Sequence, residues 1–180
     1  MSNLVIEQIL LHLYDCVDYG FSYRAKKGLW ISEYFDHWKN EIDPKKVKDG
    51  IRDLNKQKFI KKKEKYDGSV LVSLTEKGML RALNIIFRRL DNKKEKWDGK
   101  WMMFAFDIPE ECRKGRNALR YRFRSAGFFE FQKSLFVYPY NCEKEVSALV
   151  KLLKLEKYVR FVLADFIDNE DRLKFRFKLG

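Results

Sequence analysis

From Trp101 onward the sequence switches between two hydrophobic periods in an order that few folds accommodate. "WMMFAFD" reads as a strand, "EECRKGRNALRYRFRSA" as a helix, "FFEFQ" and "SLFVYP" as two strands, "CEKEVSALVKLLKL" as a helix and "YVRFVLA" as a strand. That βαββαβ order predicts a ferredoxin-like sandwich, with helices on one face of an antiparallel sheet. The tail adds a further expectation. Leu173, Phe175, Phe177 and Leu179 alternate with Arg172, Lys174, Arg176 and Lys178, which predicts an extra half-buried strand seeking a sheet edge.

Upstream, the lysine-rich "DNKKEKWDGK" at 91–100 interrupts the hydrophobic periodicity and separates two segments of different grammar. The predicted division is residues 1–96 and residues 97–180. Both parts are basic: residues 1–97 hold 21 basic and 14 acidic side chains, and residues 98–180 hold 17 and 12. With 38 Lys and Arg against 26 Asp and Glu, the net charge of +12 favours polyanionic partners.

The first part reads as helix, helix, basic helix and basic hairpin. Leu4 to Val17 is strongly apolar, and "ISEYFDHW" after Leu29 and Trp30 predicts a short second helix with Ser32 as a cap. A third helix opens at "DPKK", with Asp43 as N-cap and Pro44 at the first helical position. Val47, Ile51 and Leu54 seat it on a core, which leaves Lys45, Lys46, Lys48, Arg52 and Lys56 for the solvent side. "FIKKKEKYDGSVLVSLT" then reads as two strands joined at Asp67-Gly68, the first carrying Lys61, Lys62, Lys63 and Lys65.

This layout predicts a winged helix-turn-helix, in which the helix from Pro44 to Gln57 enters the major groove of double-stranded DNA and the hairpin lysines meet flanking phosphates. The competing reading of each basic run alone is a solvated face. Lys58 stands where such modules often have a glycine, so a non-glycine residue must take the left-handed cap. After the hairpin, a helix capped by Thr75 places Met79, Leu83, Ile86, Phe87 and Leu90 on one face.

Other classes find little support. No apolar run reaches the ~20 residues of a membrane span, and the N-terminus lacks a basic start and a small-residue cleavage site, so a cytoplasmic protein with no membrane partner is expected. Cys16, Cys112 and Cys142 are odd in number and far apart, which suggests reduced, packed thiols. His12 and His37 have no Cys, Asp or Glu at metal-ligand spacing, and no GxSxG, P-loop or GxGxxG is present. Phe128, Phe129, Phe131 and Phe136 alternate as sheet residues and read as core.

"WDGKWMMFAFDIPE", "LRYRFRSAGFFEFQKSLFVYPYNCEKEV" and "YVRFVLADF" resemble the central domain of the phenylacetate-degradation repressor family, the PaaX-like regulators. That domain is in turn similar to the CRISPR-associated Cas-two proteins, and the family carries a winged helix in front of it. The resemblance extends over essentially the whole chain, most sharply at "FDIPE" and "QKSLFVYP". It implies an α+β chain with an N-terminal winged helix and a Cas-two-like domain of βαββαβ plus an extra strand. It also implies a homodimeric transcriptional regulator, usually a repressor, that releases its operator on binding a small anionic effector. Longer members continue into a further C-terminal domain that this sequence lacks, so phenylacetyl-CoA sensing is not carried over. The resemblance suggests that residues 172–179 add to the partner protomer's sheet.

Two residue sets carry the chemistry. Cas-two proteins suggest a metal-dependent nuclease, with Asp107 binding magnesium or manganese across a dimer; otherwise no cofactor is expected. The competing reading makes Asp107 a helix-start residue before "IPEE", and "DFIDNED", with Asp165 and Asp168, a polar turn. Arg113, Arg116, Arg120 and Arg124 share one helical face, with Cys112, Leu119, Phe123 and Ala126 beside them turned to the core. That stripe would track a DNA backbone, hold an anionic effector such as a nucleotide or CoA-like ligand, or pair with acids of the other domain.

Overall fold

The computed structural model describes residues 3–16, 29–30, 43–64, 66, 70–90 and 96–179. These belong to two compact units, Met1–Ile85 and Ile86–Gly180.

In the first unit, helix α1 (Asn3–Asp15) buries Ile9, Leu10 and Leu13. Strand β1 is the short Leu29–Trp30. Helix α2 (Pro44–Lys56) begins where the sequence places it, with the Asp43 carboxylate accepting the Lys45 N–H at 2.9 Å and Pro44 inside the first turn. Its stripe of Val47, Ile51 and Leu54 is buried. A Cβ on Gly50 would stand 2.7 Å from the Ile9 side chain, so the missing methyl lets α1 approach α2 closely.

Strands β2 (Ile60–Glu64) and β3 (Val70–Leu74) form the hairpin, paired antiparallel from Ile60↔Leu74 to Glu64↔Val70. Strand β1 adds to the other edge of β3, giving the order β1-β3-β2. The strand at Leu29–Trp30 is an element the sequence reading did not separate. The helix expected at "ISEYFDHW" and the Asp67-Gly68 turn lie outside the described residues.

Helix α3 (Glu76–Leu90) is tied to the base of the hairpin. The Thr75 hydroxyl donates to the Lys58 carbonyl at 2.8 Å and accepts the Gly78 N–H at 3.1 Å, the cap expected of it. Gly78 is required there, because a Cβ would lie 1.9 Å from the Phe59 carbonyl oxygen. Met79, Leu83, Phe87 and Leu90 are buried, as their periodicity predicts, while Ile86 is half-buried.

The second unit contains β4 (Trp101–Phe106), a 3₁₀ turn at Glu110–Cys112, α4 (Arg113–Ser125), β5 (Phe129–Gln132), β6 (Leu135–Tyr138), α5 (Glu143–Leu152) and β7 (Val159–Ala164). The sheet order β5-β6-β4-β7, antiparallel throughout, is that of the expected ferredoxin-like sandwich. The two-residue period decides the layers. Phe104 and Phe136 face Phe123 of α4, at centroid distances of 5.3 and 5.1 Å, while Trp101 and Val137 point to the opposite face.

That opposite face corrects the expectation for the tail. Residues Glu170–Phe177 form helix α6, not an extra strand, and Leu173 and Phe177 pack onto Trp101, Val137, Met103 and Phe129. Two periodicities coexist in the segment: positions 173 and 177 are inward both at i, i+2, i+4 and at i, i+4, so alternation alone misled. A strand would turn Phe175 inward with them; the helix leaves it 89% exposed. Glu170 and Asp171 sit at the positive helix end, and Glu170 also accepts hydrogen bonds from Lys174 and from Trp101 Nε1. Those bonds, that of Lys174 first, hold the Glu170 carboxyl below its ordinary range. The expected consequence is an asymmetry between two similar substitutions. Leu173→Ala should cost about 2–4 kcal/mol and Phe175→Ala less than about 0.5 kcal/mol in urea unfolding, whereas a strand would make both costly.

Candidate nucleic-acid interface

The amphipathicity of α2 follows from its burial pattern: with Val47, Ile51 and Leu54 committed to the core, Lys45, Lys46, Lys48, Arg52 and Lys56 are left exposed. Arg52 pairs with Asp49 on the preceding turn at 2.8 Å, an exposed pair that leaves guanidinium N–H groups for other acceptors. Lys61, Lys62 and Lys63 are exposed along β2. The side chains of Lys45, Lys46, Lys56, Lys61, Lys62 and Lys63 enter no ion pair among the described residues. Lys65 and His37 lie outside the described residues.

The exit from α2 bears out the reading of Lys58, whose φ is +61°. The Phe59 N–H reaches back to the Leu54 carbonyl at 2.9 Å and the Lys58 N–H to Asn55 at 3.0 Å. This left-handed cap turns the chain directly from the basic helix into the basic strand.

The arginine stripe of α4 is differently disposed. Arg113, Arg116, Arg120 and Arg124 do share a face, flanked by buried Leu119, Phe123 and Ala126, with Cys112 only half-buried. Every one of the four, however, is paired within its own unit. Arg116 donates to Glu110 at 2.6 Å and to the Ile108 carbonyl at 2.9 Å, and Arg113 lies 3.5 Å from Glu110. Arg120 donates to Glu130 at 2.9 Å, while Arg124 grips both oxygens of the same carboxylate. The acids come from the preceding 3₁₀ turn and from β5, not from the other domain. Glu110 stands three residues before Arg113 and was within reach of sequence reasoning, whereas Glu130 meets the helix only through the fold.

Burial pushes the Glu130 carboxyl up, but hydrogen bonds from Arg120 and Arg124 and their positive charges outweigh it, and the net shift is downward. The Arg116 hydrogen bond likewise holds Glu110 low. Because the folded value of Glu130 lies below the unfolded one, the unfolded chain binds its proton first, and stability is lost as pH falls through the depressed folded value. Thermal unfolding should therefore be flat through neutral pH and fall below the ordinary carboxylate range near 4.5. In Glu130→Gln the acid-side fall should be shallower, with a loss of about 1–3 kcal/mol at neutral pH from the stranded arginines. An unchanged acid limb would discount the pair.

Asp107 follows the last residue of β4 and is exposed, its backbone N–H donating to the Tyr158 carbonyl at 3.0 Å. The helix-start role expected of its carboxylate is not realised. Pro109 occupies the cap position without a side-chain bond, and the chain has already turned by the time Glu110 and Glu111 supply first-turn acids. Asp107 borders an open concavity of about 600 Å³ whose rim also holds Lys157, Arg160, Tyr158, Gln132 and Ser134. Within one chain Asp107 is the single carboxylate on that rim, where a divalent ion takes about six oxygen ligands. No group of three metal-ligating side chains forms among the described residues. Asp165 and Asp168 are exposed, Asp165 lying 3.9 Å from Lys100. No described helix is long and apolar enough to cross a membrane.

No curated protein matches the chain. The charge geometry thus separates exposed basic side chains of the first unit from an arginine stripe in the second whose four members share two carboxylates of their own unit, and the second unit's βαββαβ framework has a counterpart among known domains. Residues 94–175 match the family model of the PaaX protein central Cas2-like domain, and this part of the chain is similar to that domain.

Proposed function

We propose that the protein is a cytoplasmic, sequence-specific DNA-binding transcriptional regulator, acting as a homodimeric repressor through a winged helix in its first unit. The observation that carries this reading is the set of Lys45, Lys46 and Lys56 on α2 and Lys61, Lys62 and Lys63 on β2, exposed and without ion pairs among the described residues, on two elements joined by three residues of which Lys58 is left-handed. A helix of about 10–12 Å diameter fits the major groove, and uncommitted lysines on the adjoining strand suit flanking phosphates. The similarity of residues 94–175 to the PaaX protein central Cas2-like domain is consistent with the regulatory role.

Selection of bound duplexes from a random pool tests the proposal. Enrichment of a motif with two-fold symmetry is expected, as a symmetric dimer reads two half-sites. Binding without an enriched motif would reject sequence-specific regulation in favour of a nucleic-acid scaffold. Metal-dependent cleavage abolished by Asp107→Asn would reject it in favour of a nuclease.

A further inference from the structure

The hairpin presents a second chemistry beside its charge. Cross-strand partners share a face, so Lys61 lies with Ser73 and Lys63 with Leu71. These residues, with Leu74 and Met79, border a concavity of about 620 Å³ within the first unit, a size typical of small-molecule sites. Its lining is mainly apolar. Ser73, 8% exposed, places its hydroxyl in that lining beside the two lysines. A serine hydroxyl and two ammonium groups are all donors, so together they suit an anionic head.

We propose that this concavity binds an amphipathic monoanion, a carboxylate or similar head on an apolar stem. The stem lies along Leu71, Leu74 and Met79 and displaces water from them. The head accepts hydrogen bonds from the Ser73 hydroxyl and from the ammonium groups of Lys61 and Lys63, which are two residues apart on one strand, a separation of about 6.5 Å. An uncharged lipid would leave the lysines unanswered, and a cationic one would be repelled. The regulatory consequence rests on the proposed DNA-binding function: the ligand would occupy lysines that also serve phosphate, so its binding opposes that of DNA.

The test is calorimetric titration of the full chain with dodecanoate below its micellar concentration, against dodecanol and dodecyltrimethylammonium. One saturable dodecanoate site is expected, weakened about tenfold or more by the surface double variant Lys61→Gln, Lys63→Gln. The Lys45→Ala, Lys48→Ala, Arg52→Ala variant should bind dodecanoate normally. Absence of saturable binding, equal binding of the cationic or neutral amphiphile, or indifference to Lys61→Gln, Lys63→Gln would overturn the site. Displacement of a selected duplex by dodecanoate is expected as well. Because ligand binding is read without DNA, loss of the DNA-binding function would leave the site standing, and loss of the site would leave that function standing.

Discussion

Replacing Lys45, Lys48 and Arg52 together by alanine should leave the protein folded and remove most of its affinity for a selected duplex. All three side chains are exposed on α2, and alanine is the best helix former, so the helix itself is not threatened. The interaction given up in folding at Arg52 is its exposed pair with Asp49, worth at most about 1 kcal/mol. In binding, a contact to a base edge contributes about 1–3 kcal/mol, so the three together should weaken the complex by roughly two to six orders of magnitude. The dependence of log affinity on log salt should also become shallower by about one unit for each side chain that meets a phosphate. Circular dichroism and urea unfolding check the fold, and duplex titration at several salt concentrations checks the rest. Unchanged affinity and slope in a folded variant would remove α2 from the interface.

Phe104→Ala should produce the largest loss of stability in the second unit. Its ring is fully buried at the centre of the sheet and lies 5.3 Å from Phe123, 5.5 Å from Phe128 and 5.4 Å from Phe161. Truncation therefore removes transfer energy, opens a cavity and breaks three aromatic contacts, a combined cost of about 3–5 kcal/mol. Urea unfolding followed by far-ultraviolet dichroism measures it. A loss below about 1 kcal/mol would mean that the helices repack over the sheet without the ring.

Much of this architecture was legible because it is local. The α2 stripe at 47, 51 and 54, the Asp43 cap, the Thr75 cap, the left-handed Lys58 and the βαββαβ order each rest on neighbours a few residues apart. The tail was misread for a reason equally local. Over eight residues, Leu173 and Phe177 satisfy both a two-residue and a helical period, and only the apolar sheet face around Trp101 and Val137 selects the helix. The arginine stripe shows the same division, since its alignment follows from the helical repeat whereas the pairing of Arg120 and Arg124 depends on Glu130 arriving from β5.

Sequence alone determined which residues had to face inward, where helices begin, and that positive charge gathers on α2 and β2, because periodicity, capping and composition are properties of consecutive residues. Tertiary structure alone decided which charges remain available. Pairing between side chains distant in sequence depends on the closeness that the sheet and helices impose, which is why the arginines of α4 are spent on carboxylates while the lysines of the hairpin stand beside an apolar concavity.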